Sequence, residues 1–213
     1  MDIQFNQVLP KPLSSVSHDE KSLWNSNLVL TKGTRVVVEA PSGRGKSTLI
    51  HLLYGIRQDY EGQILFDEKS IVGLSKNNWS NYRTNMISIV FQDLQLFPKL
   101  SVLENLILKN SLTNHLSLEE IHRLISLVGL ETKVNESCGN LSMGQQQRIA
   151  IIRALCQPFA WLLLDEPFSH LEAENATICM DLINKHCEGK SAGWILTSLG
   201  THVTSSYDQL ILI

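Results

Sequence analysis

The sequence predicts an α/β fold: a mostly parallel sheet covered by helices on both faces, an antiparallel β-subdomain at the N-terminus, and an inserted block of helices. Three observations predict it. Aliphatic, often β-branched runs recur at Val36–Val38, Ile87–Phe91, Trp161–Leu164 and Trp194–Thr197, with helical patterns between them. Residues 1–34 instead alternate apolar and polar positions around turn formers. Residues 94–140 carry helix-start signals and no strand pattern.

Taken in order, Ile3 and Phe5 alternate with polar neighbours, Pro10 and Pro12 break the pattern, and Leu28–Leu30 resume it before a Lys32-Gly33 turn. These read as antiparallel strands. The strand Val36–Val38 runs into a glycine-containing turn, and a helix follows to about Tyr54, with Gly55 as a C-cap. Gly62–Phe66 is a further strand turning at Asp67-Glu68, and a helix near Trp79–Thr84 precedes the strand Ile87–Phe91.

Capping boxes then open helices at Ser101…Glu104, Ser117…Glu120 and Ser142…Gln145. In the second helix Leu118, Ile121, Leu124, Ile125 and Val128 share one face, and Gly129 ends it. The third helix stops before Pro158. After it come the strand Trp161–Leu164, a helix over Ala173–His186, the strand Trp194–Thr197 and a terminal strand, Leu210–Ile213. The expected organisation is one domain over 1–213. Residues 1–93 and 141–213 form the core with its antiparallel β-subdomain, and 94–140 form the helical subdomain.

Composition narrows the function. The 213 residues suffice for one well-filled core, and 43% hydrophobic with 18% charged residues is a globular balance. Net charge is −3 with no basic block, which argues against a nucleic-acid groove and a polybasic lipid-binding patch. The longest apolar run, Phe159–Leu164, is far too short to cross a bilayer. The N-terminus lacks the charged start and long apolar segment of a signal peptide, so the chain is expected in the cytoplasm with no membrane span of its own. Four cysteines are scattered without metal-ligand spacing. Cys156 and Cys179 read as core thiols, and Cys138 and Cys187 as candidates for exposed ones.

The chemistry begins at Ala40-Pro41-Ser42-Gly43-Arg44-Gly45-Lys46-Ser47-Thr48, between a strand and a helix. A strand, a glycine-rich turn and Gly-Lys-Ser at a helix start form the phosphate-binding P-loop pattern. Unpaired N–H groups at the helix start attract an anion, and Gly43 and Gly45 let the backbone approach it closely. Lys46 is the candidate for the β- and γ-phosphates and Ser47 for Mg²⁺. The pattern's first glycine is Ala40, which is compatible only with negative φ. In Trp161–Leu164, followed by Asp165, Glu166 and Pro167, a buried strand delivers carboxylates at its C-terminal end, the Walker B arrangement. Asp165 is placed to hold Mg²⁺ and Glu166 to orient or deprotonate a water.

Leu141-Ser142-Met143-Gly144-Gln145, followed by Gln146-Gln147-Arg148, resembles the Leu-Ser-Gly-Gly-Gln signature of ATP-binding cassette (ABC) ATPases. Its place just before the Walker B strand fits that family. Val90-Phe91-Gln92-Asp93 resembles the family's Q-loop. The run from Gln92 through Pro98 to Ser101-Val102-Leu103-Glu104-Asn105 is similar to the class that energises lipoprotein release, macrolide efflux and the cell-division permease. The resemblance spans about Ile3 to Ile213.

That resemblance implies a P-loop NTPase that hydrolyses ATP with Mg²⁺ as the cytoplasmic, peripheral partner of a separately encoded permease on the inner face of the membrane. Two copies pair head to tail around two ATP molecules. The P-loop, Gln92, Asp165 and Glu166 of one chain face Ser142 and Gly144 of the other, and Gln92 contributes to both the metal and the link to the permease.

Several positions depart from the family pattern. Met143 replaces the signature's first glycine, and either adds apolar bulk near the nucleotide or weakens the close backbone approach. Ser169-His170-Leu171-Glu172 ends the D-loop in glutamate rather than aspartate. Ser198 stands where the switch histidine follows Thr197, and His202 lies too far on to replace it. No aromatic occupies 11–14, where the adenine-stacking side chain is expected; Phe5 reads as core and Trp24 as a distant substitute. These departures keep open a slow or vestigial ATPase acting as a nucleotide-controlled binding module. A soluble ABC ATPase acting on ribosomes or DNA is disfavoured by the single cassette and the absence of a basic surface.

Overall fold

The computed structural model describes residues 1–18, 22–198 and 206–213. Its elements in order are β1 (Ile3–Pro10), β2 (Asn27–Leu30), β3 (Arg35–Glu39), α1 (Lys46–Leu53), β4 (Tyr60–Phe66), β5 (Lys69–Ser70), α2 (Lys76–Asn85) and β6 (Ile87–Val90). Then follow α3 (Val102–Asn110), α4 (Leu118–Leu127), α5 (Met143–Leu155), β7 (Trp161–Asp165), α6 (Ala173–Glu188), β8 (Gly193–Ser198) and β9 (Gln209–Leu212).

Two sheets result. One is antiparallel, in the order β2-β1-β4-β5, and the other is parallel, in the order β6-β7-β8-β3-β9. Alternation along β3 divides the interior, because successive side chains point to opposite faces. Val36 and Val38 join α1 and the antiparallel sheet in one apolar cluster. Val37 joins α3–α6 in the other. Every residue of β7 is buried, as a central parallel strand covered on both faces requires. Each large aliphatic side chain so enclosed contributes roughly 1.5–3 kcal/mol.

Ser101, Ser117 and Ser142 each cap their helix with the expected glutamate or glutamine three residues on. Ser75 does the same with Asn78, a pair outside the Ser-x-x-Glu/Gln pattern. Cys138 and Cys187, read as candidates for exposure, are both buried. Cys187 shares the α6 stripe of Cys179, Met180 and Ile183, which faces the sheet. Burial pushes the thiols of Cys156, Cys179 and Cys187 up to about 12 and raises that of Cys138.

Near the end of α6, Lys190 Nζ lies 2.9 Å from His186 Nε2 and 3.1 Å from His115 Nε2. Phe159 stacks on the His186 ring, and Glu120 is the acidic group facing the cluster. Burial, then the charges of Lys190 and His115, push His186 down to about 4. A base whose folded pKa lies below its unfolded value of about 6.5 binds fewer protons when folded. Stability is therefore complete above about pH 6.5 and declines as pH falls towards 4, by at most about 3 kcal/mol. His186→Gln is expected to flatten the fall in melting temperature between about pH 7 and about pH 4. Parallel melting curves for the two proteins would remove His186 from the acid response.

Candidate active site

Strands β3, β6, β7 and β8 run parallel, so their C-terminal ends open on one edge of the sheet. The residues leaving that edge are Ala40–Thr48, Gln92, Asp165 with Glu166, and Ser198. Strand register sets Asp165 opposite Thr197 and Glu39 opposite Ser198.

The P-loop turns through two left-handed residues, Gly43 at φ 79° and Gly45 at φ 107°. Ala40 is buried and is not among the residues with positive φ, so alanine fits there. No side chain caps the start of α1, which leaves first-turn N–H groups open to an anion. Lys46 is 6% exposed, and its Nζ lies 2.9 Å from Ala40 O, 3.4 Å from Pro41 O and 3.5 Å from Glu166 Oε1.

Trp24 supports this loop from below. Its indole N–H donates to Arg44 O at 3.3 Å, and a Cβ on Gly45 would come within 2.5 Å of Leu13 Cδ1 and 3.1 Å of Trp24 Cζ2. With 2% of its surface exposed, Trp24 has no face to offer a base, which corrects its reading as an adenine-stacking substitute. Phe5 is core, as expected.

Asp165 is buried at the end of β7, where its Oδ1 accepts from Thr197 Oγ1 at 2.8 Å. The same hydroxyl accepts from Glu166 N at 3.1 Å. Glu166 has φ 48°, a costly conformation for a non-glycine residue, and it is held at both main-chain ends. Thr197 takes its N–H, and Gln147 Nε2 donates to its carbonyl at 3.3 Å. The side chain is thereby left to meet Lys46.

Ser47, Gln92 and Asp165, the three candidate metal-holding residues, line one cleft of about 1060 Å³. Hydroxyl, amide oxygen and carboxylate make a hard oxygen set that suits Mg²⁺, which takes few protein ligands and completes its shell with phosphate and water. The lysine and open helix start suit a polyphosphate. Ser198 ends β8 and is 8% exposed. His202 lies outside the described residues.

Leu141–Gln145 do not line this cleft. Ser142 caps α5, its Oγ accepting from Gln145 N at 3.3 Å while Gln145 Oε1 accepts from Ser142 N at 3.0 Å. Met143 is 51% exposed, and a Cβ on Gly144 would sit 2.9 Å from His170 O.

Three further residues organise the site: Gln147 and Asn105, which lie in the family-like runs without an assigned role, and Arg153, which lies outside them. Gln147, 1% exposed on α5, donates to Glu166 O and to Ser169 Oγ at 3.2 Å, and accepts from His170 N at 3.0 Å. Arg153, further along α5, donates to Leu94 O at 2.7 Å and Gln95 O at 2.6 Å, fixing a turn in which both have positive φ. Asn105 accepts from Phe97 N at 2.9 Å and donates to Phe97 O at 3.1 Å. The sequence signal for Gln147 and Asn105 was their place in those runs, and Arg153 carried none beyond a polar residue in an apolar helical pattern.

A family model described as ABC transporter matches residues 23–169. The lipoprotein-releasing system ATP-binding protein LolD of Buchnera aphidicola is 37% identical over 180 residues, covering 82% of this chain and 78% of that protein. Several other matched relatives are longer, and the matched segment spans about half of their length. Among solved structures, the dimeric bacterial ABC transporter cassette MJ0796 superposes with a TM-score of 0.84 at 27% identity, covering 99% of this chain and 94% of that one. A post-hydrolysis dimer of MJ0796 bound to ADP and Pi matches with a TM-score of 0.77 at 28% identity, covering 92% and 87%.

Proposed function

This chain belongs to the ABC transporter family, and from that premise we propose that two copies close head to tail around two ATP molecules to power a separately encoded membrane permease. The observation that carries the reading is the cleft shared by Ser47, Gln92 and Asp165, with the Lys46–Glu166 pair at 3.5 Å beside it.

On this reading the P-loop N–H groups and Lys46 hold the β- and γ-phosphates, and Ser47, Gln92 and Asp165 hold Mg²⁺. The bound ion supplies neutralisation of phosphate charge. Glu166, its backbone fixed by Thr197 and Gln147, takes a proton from the attacking water. Ser142 and Gly144 of the opposite chain close over the γ-phosphate with the start of α5. Residues 94–140 act as the subdomain that meets the permease. Phe97, Leu108 and Leu112 support this, since they line the same cleft from the helical side and are 51%, 46% and 60% exposed. No described helix is long and apolar enough to cross a membrane, which is consistent with a peripheral subunit on the cytoplasmic face.

Light scattering with a non-hydrolysable ATP analogue and Mg²⁺ is expected to show the mass double. A mass that stays monomeric, with phosphate release at background, would overturn the reading.

Ser198 favours slow turnover. Its hydroxyl can donate one hydrogen bond but is shorter than an imidazole and never cationic. Losing one positioned transition-state contact typically lowers a rate about a hundredfold to a thousandfold. Ser198→His is therefore expected to raise steady-state phosphate release about tenfold or more, with ATP affinity little changed. No gain in the variant would show that Ser198 does not limit the rate.

A further inference from the structure

We propose that His170 supplies, across the dimer, the imidazole that position 198 lacks. The inference rests on the head-to-tail reading above. It begins with a contact inside one chain: Gly144 packs against the His170 carbonyl so closely that an added Cβ would lie 2.9 Å from it. Gln147 Oε1 holds the His170 N–H at 3.0 Å, which ties the same residue to α5 a second time. His170 therefore moves as one piece with the start of α5. If Ser142 and Gly144 close over the opposite chain's γ-phosphate, His170 is carried to that phosphate with them.

The ring is also prepared as a donor. The Gln147 amide is oriented by accepting the His170 N–H, so its Nε2 faces Ser169 Oγ at 3.2 Å. Ser169 Oγ, which accepts from that amide, lies 3.0 Å from His170 Nδ1, and we assign its O–H as the donor there. With Nδ1 accepting, the neutral ring carries its proton on Nε2. His170 is exposed, so its ring is open to a partner chain. The partner subunit's His170 thus donates a hydrogen bond to the γ-phosphate or to the attacking water; it forms and breaks no covalent bond. Reaching in from a loop, it is less firmly positioned than a histidine at the end of β8, which is compatible with slow turnover.

The test uses the full chain. His170→Ala is expected to lower phosphate release about tenfold and to weaken calorimetric binding of ADP with orthovanadate by a similar factor. Affinity for ATP and the ATP-driven dimer should not change. Combined with Ser198→His, the His170→Ala change should cost nothing, because the histidine at 198 then makes the contact within the chain. Mixed dimers locate the group. A Glu166→Gln chain paired with a His170→Ala chain retains one site with both Glu166 and the partner subunit's His170. An unmodified chain paired with a Glu166→Gln/His170→Ala chain has no such site, so the first heterodimer, purified free of homodimers through a different tag on each chain, should outrun the second purified in the same way. Equal rates in the two purified heterodimers, an equal loss from His170→Ala in both position-198 backgrounds, or unaltered turnover in His170→Ala alone would each overturn this inference. Failure of the unmodified chain to dimerise with ATP, together with phosphate release at background, would overturn the head-to-tail reading and this inference together.

Discussion

Lys46→Ala is expected to lose MgATP affinity by roughly a hundredfold to a thousandfold, about 3–4 kcal/mol. Two effects act in the same direction. The ammonium, now satisfied by Ala40 O and Pro41 O, is the cation positioned to exchange those carbonyls for phosphate oxygens. Glu166 Oε1 lies 3.5 Å from it, so deleting the ammonium also leaves a carboxylate facing the incoming γ-phosphate without its counter-charge. Lys46→Arg keeps the charge but not the compact head that fits beneath the loop, and should recover little. Titration calorimetry of the nucleotide decides it. Unchanged affinity for the alanine variant would place the phosphates somewhere other than the P-loop.

Glu166→Gln is expected to lower turnover by roughly a hundredfold or more while ATP stays bound. The substitution should leave the geometry intact, because Thr197 and Gln147 hold the backbone of residue 166 and not its side chain. The Gln amide oxygen can still accept from Lys46. What disappears is the base that takes the proton from water. The variant should therefore accumulate as an ATP-stabilised dimer on size-exclusion chromatography. Near-normal phosphate release would remove Glu166 as the base. A monomer at saturating MgATP would show that closure needs the permease, or that the sandwich is wrong, and adding the permease separates the two.

Much of this architecture is local in origin and could be read from the chain. Each capping box is a contact between residues three apart, and each buried strand is a contiguous apolar run, so both are visible in a short window. The phosphate loop is local too. The misreadings involve distance. Trp24 could be recognised as a P-loop support only once Arg44 and Gly45 were placed on it, and Cys187 as buried only once α6 was phased against the sheet. Thr197 reads as one more strand residue until β8 registers beside β7 and sets it on Asp165. The left-handed backbones of Leu94, Gln95 and Glu166 have no sequence signature at all. None is glycine or asparagine, and their carbonyls are held by Arg153 and Gln147 on α5.

The enclosure of all four thiols has a practical consequence. With three of them pushed up to about 12, only about one molecule in 10⁵ carries a given thiolate near neutral pH. The native chain should be nearly inert to maleimide dyes over minutes. A sulfhydryl introduced at a bare surface position, such as Leu118→Cys on α4, would then take the label alone, because Leu118 is 52% exposed. Approach of two chains could be followed by energy transfer between their dyes without first stripping out the native cysteines. Mass spectrometry after brief labelling should find one dye on the Leu118→Cys chain and none on the unmodified one.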